Sequence, residues 1–348
     1  MIASPSLLFN APFAPLSGLL APLALAAEAI FGYPPRLFAV IGHPVSWIGA
    51  FIAFADRTFN RDGDSFALRR LAGFGALIVL LTIVFLVSSA LQTFLIRGVL
   101  PLSIGIPLLI LCASTLVAQR SLHDHVAAIG AALDAEGLEG GRRMVARIVG
   151  RDVTGLDEAG VLRAAIESLA ENFSDGIVAP AFWLMLGGLP GGSLYKAINT
   201  ADSMIGHRTK RHAAFGYASA KLDDLVNWPA ARLAAGLLCG AALLLEQSDA
   251  CFSGRRAWTI LRRDAHGHPS PNAGWPEAAM AGALGRRLGG PRIYAGRLVE
   301  DQWIGGAMGA GAALMTRADL DRALRLYRLA CGLNGLVLLA CGLIIAQM

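Results

Sequence analysis

The chain has 348 residues, of which 55% are hydrophobic and 16% charged, with a mean hydropathy of +0.55. Soluble domains carry about a quarter charged residues, so this composition excludes an ordinary soluble globular protein and indicates an all-α, polytopic membrane protein. The net charge of +5 and pI of 9.2 do not indicate nucleic-acid binding, because no basic run carries interleaved aromatics and cytoplasmic loops of membrane proteins are themselves rich in Lys and Arg.

Residues 1–27 hold no Lys or Arg, so the positive region of a signal peptide is missing. The apolar run 16–31 reads as a retained span or interfacial helix. Pro34-Pro35-Arg36 breaks it. A second run, Leu37 to Ala55, is interrupted at Gly42-His43-Pro44, where the proline ring disfavours helical backbone at His43. Arg57, Arg61, Arg69 and Arg70 precede the clearest span. No charge lies between Arg70 and Arg97, nor between Arg97 and Arg120. About 20 apolar residues cross a bilayer, so these form a helical hairpin turning near Gly98–Pro101, with its arginine-rich side cytoplasmic.

Residues 120–170 read as soluble, with apolar residues at helical spacing. His123-Asp124-His125 is a weak metal motif, because positions i and i+2 of a helix diverge; a solvated helix start is expected. Leu156 to Ala170 is a helix begun by Thr154 or Asp157. Glu167, Glu171 and Asp175 follow at i, i+4 and i+8. Like charges at that spacing repel, so a cation or solvent must screen them. Gly176–Tyr195 is charge-free but broken by Pro180, Pro190 and four glycines at 187–192. Its glycines lack the lysine of a phosphate-binding loop.

Ala197–Ile205 and Lys221–Trp228 read as helices. On the second, Asp223 and Asn227 share one face, while Lys221, Asp224 and Trp228 share another. Pro229 is expected to open a further apolar helix to Leu245. His266 to Ala278 forms a proline-rich loop, with Pro276 starting a helix to Leu284. Residues 303–316 are glycine-rich and apolar. Asp319–Arg328 is an amphipathic helix, and Leu329–Met348 the last span. The five cysteines form no CxxC pair, so neither a zinc site nor a disulfide framework is indicated.

The expected architecture is one membrane domain, 1–348, with about five transmembrane helices, broken or re-entrant segments, and polar cytoplasmic helical loops. Its stretches are the N-terminal spans (1–119), a first polar region (120–228), the apolar helix with the proline-rich loop (229–328) and the last span (329–348). Polar groups at membrane depth are costly and mark function. A re-entrant 176–195 or 229–245 would gather every polar cluster on the cytoplasmic face.

The runs ENFSDGIVAPAFW from Glu171, YKAINTADSMIGHR from Tyr195, FGYASAKLDDLVNWPAARL from Phe215 and HPSPNAGWPEAAMAGALGRRLGG from His268 closely resemble the CobD/CbiB family of cobalamin biosynthesis. The resemblance covers nearly the whole chain. It departs near the start, where Tyr33 stands in place of an acidic residue and extra residues separate Leu37 from His43. What the resemblance implies is adenosylcobinamide-phosphate synthase, an integral membrane enzyme of the inner membrane. Such an enzyme joins adenosylcobyric acid, through its ring-f propionate, to (R)-1-aminopropan-2-ol phosphate or the free amino alcohol, using ATP and Mg²⁺. Partners would be these substrates and the lipid bilayer, with homo-oligomers or association with other corrin-pathway membrane enzymes left open.

Residue type then assigns candidates. Glu171, Asp175, Asp202, Asp223 and Asp224 suit metal ligation, with one serving as base. Lys196, Arg208, Lys210 and Arg263 suit phosphate. Asn172, Asn199, Asn227 and Asn272 suit corrin amides, although Asn199 and Asn272 are equally good helix caps. His268 or His207 suits proton transfer near neutral pH. The rival readings are a corrinoid or cobalt permease and a non-catalytic scaffold.

Overall fold

In a bilayer no water satisfies the backbone, so long apolar runs must bond within themselves. The computed structural model describes residues 14–33, 38–40, 42–98, 100–150, 152–207, 209–294, 297–306 and 314–347. The expected break at Pro34-Pro35-Arg36 and the candidate Arg208 lie outside them. Six helical stretches among the described residues are long and apolar enough to cross a membrane: Phe38–Phe59, Phe66–Arg97, Leu102–Val145, Glu158–Ile205, Tyr217–Leu245 and Arg317–Gln347. The chain is an all-α polytopic membrane protein, as its composition requires.

The helices in chain order are α1 Ala14–Phe31, α2 Pro44–Phe59, α3 Phe66–Arg97, α4 Leu102–Ser114, α5 Gln119–Val145, α6 Glu158–Phe173, α7 Ala179–Ile205, the short α8 His212–Phe215, α9 Tyr217–Leu245, α10 Gly254–Asp264, α11 Gly274–Leu284 and α12 Arg317–Gln347. Several begin where the sequence places a cap. The His43 ring accepts the amide of Val45 at 3.2 Å with Pro44 behind it. Asp157 accepts the amide of Gly160 at 2.8 Å. Contacts group the chain into two compact units, one of 1–118, 179–226 and 335–348, the other of 119–178 and 227–334.

The first unit is a helical bundle. Its core joins Ile52 and Ala55 of α2, Leu77 and Leu80 of α3, Ala197, Ala201 and Ile205 of α7, and Phe215. The expected hairpin of α3 and α4 is present, but α4 has 13 residues, about 20 Å at the helical rise. The helix stops at Ser114 instead of continuing to Arg120, and a non-helical break at 117–118 separates it from α5 within the apolar stretch Leu102–Val145. The broken run in α7 is a kinked helix: Gly188 takes φ +61°, a left-handed conformation that favours glycine. The amide of Leu189, freed by the kink, donates to the Gln92 side chain at 2.7 Å.

In the second unit, α11 is buried along its whole length and packs on α10 and α6. Phe173 meets the Tyr327 ring edge-on at 5.7 Å, and the Tyr327 hydroxyl donates to the Gln119 carbonyl at 2.6 Å. Four short strands were not expected from the sequence. They are β1 Arg287–Gly289, β2 Arg292–Tyr294, β3 Arg297–Val299 and β4 Trp303–Gly305. The first pairs antiparallel with the fourth and the second with the third. Three-residue strands flanked by glycines carry too little alternation to stand out.

Two boundaries also differ. Pro229 lies inside α9 rather than opening a helix; membrane helices tolerate an interior proline because their surroundings hold the segment helical. The amphipathic segment and last span merge into the single helix α12, since no breaker separates Arg328 from Leu329.

Close helix approach generates one prediction. A Cβ on Gly73 of α3 would overlap the Phe215 carbonyl, whereas Gly75 faces open space. Gly73→Ala should destabilise the detergent-solubilised protein by about 1–3 kcal/mol, the usual cost of overpacking. Gly75→Ala should leave the melting temperature at or slightly above wild type, and equal melting of the two variants would contradict this packing.

Candidate functional site

In the first unit, Lys196, Asn199 and Asp202 follow at i, i+3 and i+6 of α7 and so share a face. Opposite stands α9, tied to α7 by the Trp183 indole donating to the Val226 carbonyl at 3.1 Å. This brings the Asn199 amide nitrogen to 3.4 Å from an Asp223 oxygen. Asp223 is 7% exposed and Asn227, one turn on, is also buried. Lys221 and Asp224 occupy the other face of α9 and pair at 2.9 Å, so the expected division of faces is observed. Asp202 packs against Gly206, where a Cβ would strike its carboxylate. His207 and Lys210 are exposed in the loop that follows.

That loop is held by a network with no local signal in the sequence. Asp56 of α2 accepts Arg211 Nε at 3.0 Å and Nη2 at 2.9 Å, and the Asn60 amide at 2.6 Å. Asn60 also donates to the Arg211 carbonyl at 3.0 Å, and Arg69 reaches the Asn60 oxygen and the same carbonyl. Asp56 and Arg211 are 155 residues apart. Nothing local selects these partners.

In the second unit the acidic ladder is split. Glu167 is buried, accepts the amide of Gly289 in β1 at 2.7 Å and lies 3.9 Å from Arg163. It anchors a strand. Glu171 is exposed and Asp175 half-buried. Past Glu171 the helix widens into a π-turn, Ser174–Val178, that includes Asp175, which shifts the register and recurs at functional positions. Pro180 explains the widening in part, since it has no amide to give to the preceding turn. The Asn172 amide donates to the Ser168 carbonyl at 2.9 Å.

The proline-rich loop belongs to the same unit. His268 Nδ1 accepts the amide of Ser270 at 3.0 Å, and its Nε2 lies 3.8 Å from Glu277, which is 2% exposed. Arg232 of α9 donates to the Asn272 oxygen at 2.7 Å and to the Pro271 carbonyl at 3.1 Å. Its guanidinium lies over the rings of Trp228 and Trp275, at 4.6 and 4.4 Å. Cation–π contact of this kind fixes an arginine firmly. Glu277 and Arg232 are therefore members of the site region that residue type alone passed over, one as a helix starter and one as a span edge.

Arg263 makes a two-pronged pair with Asp264, at 2.5 and 2.8 Å, and Asp264 also accepts the amide of Gly305 at 2.7 Å. Burial works against the Asp264 charge, but these bonds outweigh it and hold its carboxyl below the usual value of 3.8. The pair borders a recess of about 70 Å³ lined also by His268, Asp301, Gln302 and Trp303. Among the described residues, no three His, Cys, Asp or Glu side chains gather as a ready-made metal site.

The family described as CobD/Cbib protein matches residues 21–327. The chain is 48% identical over 306 residues to a cobalamin biosynthesis protein CobD of Rhodobacter capsulatus, covering 88% of this chain and 91% of that protein. It is 46% identical over 310 residues to a protein of the same description from Sinorhizobium sp, covering 89% and 93%. To one from Brucella suis biovar 1 it is 46% identical over 307 residues, covering 88% and 90%. No solved structure matches.

The Asp264 network sets a pH dependence. A carboxyl whose pKa is lowered by folding adds stability above its unfolded value, and that stability is lost as pH falls through the folded value. Melting of the wild type should therefore drop between pH 7 and pH 3 more than melting of Asp264→Asn. The wild-type curve should lie above the variant's at neutral pH and close on it below about pH 4; a gap that stays constant to pH 3 would contradict the network.

Proposed function

The chain belongs to the CobD/CbiB family, and from that premise we propose that it works in cobalamin biosynthesis as adenosylcobinamide-phosphate synthase. In this reading it forms an amide between the ring-f propionate of adenosylcobyric acid and the amine of (R)-1-aminopropan-2-ol phosphate. It works in the inner membrane. Supporting that placement, the Arg69 end of α3 is bonded to Arg211 in the loop carrying Lys210, and clustered Lys and Arg mark a cytoplasmic end.

The observation that carries the proposal is the buried Asp223 against Asn199, in line with Lys196 and Asp202, inside apolar helices. A carboxylate, a cation and an amide at membrane depth are expensive, and acid–amine ligation uses all three. The donor chemistry fits Mg²⁺, which takes oxygen ligands, commonly one or two carboxylates with substrate phosphates and water. Asp202 and Asp223 would hold it in the first unit, and Glu171 and Asp175 are the candidates in the second. When bound, Mg-ATP supplies activation of the propionate as an acyl phosphate.

The remaining tasks fall to the chain. Lys196 and Lys210, with Arg208, offer positive charge to phosphate, as phosphoryl transfer demands. Asn199 and Asn227 offer amide hydrogen bonds to the corrin periphery. The substrate ammonium must lose a proton before its nitrogen can attack, and in this reading Asp223, where it is not taken up as a metal ligand, would accept it. Asp224 lies in its pair with Lys221, and Asn172, Asn272 and Arg263 make bonds within the chain. Their contribution is to shape the motif segments, with ligand contact requiring those bonds to open. His268 is oriented by Ser270 and Glu277.

Purified full-length protein with adenosylcobyric acid, aminopropanol phosphate and Mg-ATP should yield adenosylcobinamide phosphate. Asp223→Asn should lower turnover by about 100-fold or more, the scale of a lost acid–base group, with Glu158→Gln at the exposed start of α6 unchanged. Corrinoid uptake into proteoliposomes without product would favour the permease reading. Unchanged turnover in Asp223→Asn would remove that residue from the site.

A further inference from the structure

The first unit contains a cavity of about 510 Å³ between its helices. Its walls come from the end of α1 at Tyr33, from Trp47 of α2, Val84 and Ser88 of α3, Cys112 of α4 and Leu189 of α7. Its origin lies in the sequence. The 13 residues of α4 cover about 20 Å, and α7 bends away at Gly188. Neither helix fills the space beside α3.

The walls are almost wholly apolar because most hydroxyls on them are turned to backbone carbonyls. Ser88 donates to the Val84 carbonyl at 2.6 Å, Ser114 to Leu111 at 2.7 Å and Thr115 to Cys112 at 2.7 Å. The Tyr33 hydroxyl donates to the Val117 carbonyl. These bonds leave the hydroxyl groups spent, so the walls present chiefly hydrocarbon to an occupant. A space of this size lined by apolar groups does not suit water, which needs polar partners. Left empty, it would cost every lining atom its contacts on one side.

We propose that this cavity is a lipid site, and that it holds one acyl chain of a bilayer phospholipid. Its volume lies within the range of small-molecule pockets, and α2 and α3, which line it, are among the stretches apolar enough to sit in a bilayer. The medium around them is therefore a source of hydrocarbon chains. The proposed corrin and phosphate groups are polar, and these walls give them little to bond. Ser193 lies on the wall, and Lys196 follows at i+3 on the same face of α7. A chain seated here would pack the helix that carries Lys196, Asn199 and Asp202. The site stands whether or not the ligase reading holds.

The test is photolabelling of the full-length protein in nanodiscs with a phosphatidylglycerol carrying a diazirine in its acyl chain. Labels, located residue by residue, should map to the wall at Val84, Ser88, Cys112 and Thr115. Val84→Trp, or Leu111→Trp should the first variant fail to fold, should reduce wall labelling by about tenfold, the effect of a modest loss of binding energy. Labelling of the outward-facing Val79 and Leu86 should be unchanged. An excess of phosphatidylcholine should compete, because the chain and not the headgroup is recognised. Labels confined to outward residues, wall labelling unchanged in both folded variants, or failure of phosphatidylcholine to compete would overturn the proposal.

Discussion

A carboxylate shut away from water inside apolar helices survives by being answered across the helix boundary, and Asp223 is answered by Asn199. The rest of the first unit follows from that constraint. It requires α7 and α9 to run close together, which the Trp183 bond to Val226 secures. It requires the polar face of α7 to point at α9, which leaves the opposite face free to join Ile52, Leu77 and Phe215 in the core. Burial of apolar area supplies the stability, at about 25 cal/mol per Å², and the polar line is where some of it is given up for chemistry.

Irregular backbone appears where function is proposed, and each irregularity has a cause in the sequence. The π-turn precedes Pro180, the kink in α7 sits on Gly188, and α4 ends at Ser114, whose hydroxyl turns back to the Leu111 carbonyl. Each frees backbone groups or space that another part of the chain must answer. Gln92 answers the kink by accepting the Leu189 amide. The space beside α4 is left unfilled by the described residues, and a lipid chain is proposed for it.

Much of the fold could be read before the structure. Apolar length identified the α3 span and the hairpin turn, and residue type narrowed the start of α6 to Thr154 or Asp157, of which Asp157 is the cap, because these depend on neighbours within a few residues. The division of faces on α9 was legible for the same reason. What could not be read depends on distant partners. Glu167 looked like one rung of an acidic ladder until β1 placed the Gly289 amide on it. Asp56 and Arg211, which pair across 155 residues, drew no reading from the sequence at all. Pro229 was read as a helix start, but the surrounding membrane segment overrides a single missing amide. Candidate ligand residues were legible by type, whereas Arg232 and Glu277 became visible only with the loop they brace.

The central claim is that Asn199 and Asp223 act as one unit where α7 meets α9. A double-mutant cycle on amide-forming turnover, with Asn199→Ala, Asp223→Ala and the double variant checked for equal melting, tests it most directly. The account predicts that the double variant is no slower than Asp223→Ala alone. Losses that simply multiply, so that the double variant falls by the product of the two single effects, would contradict it.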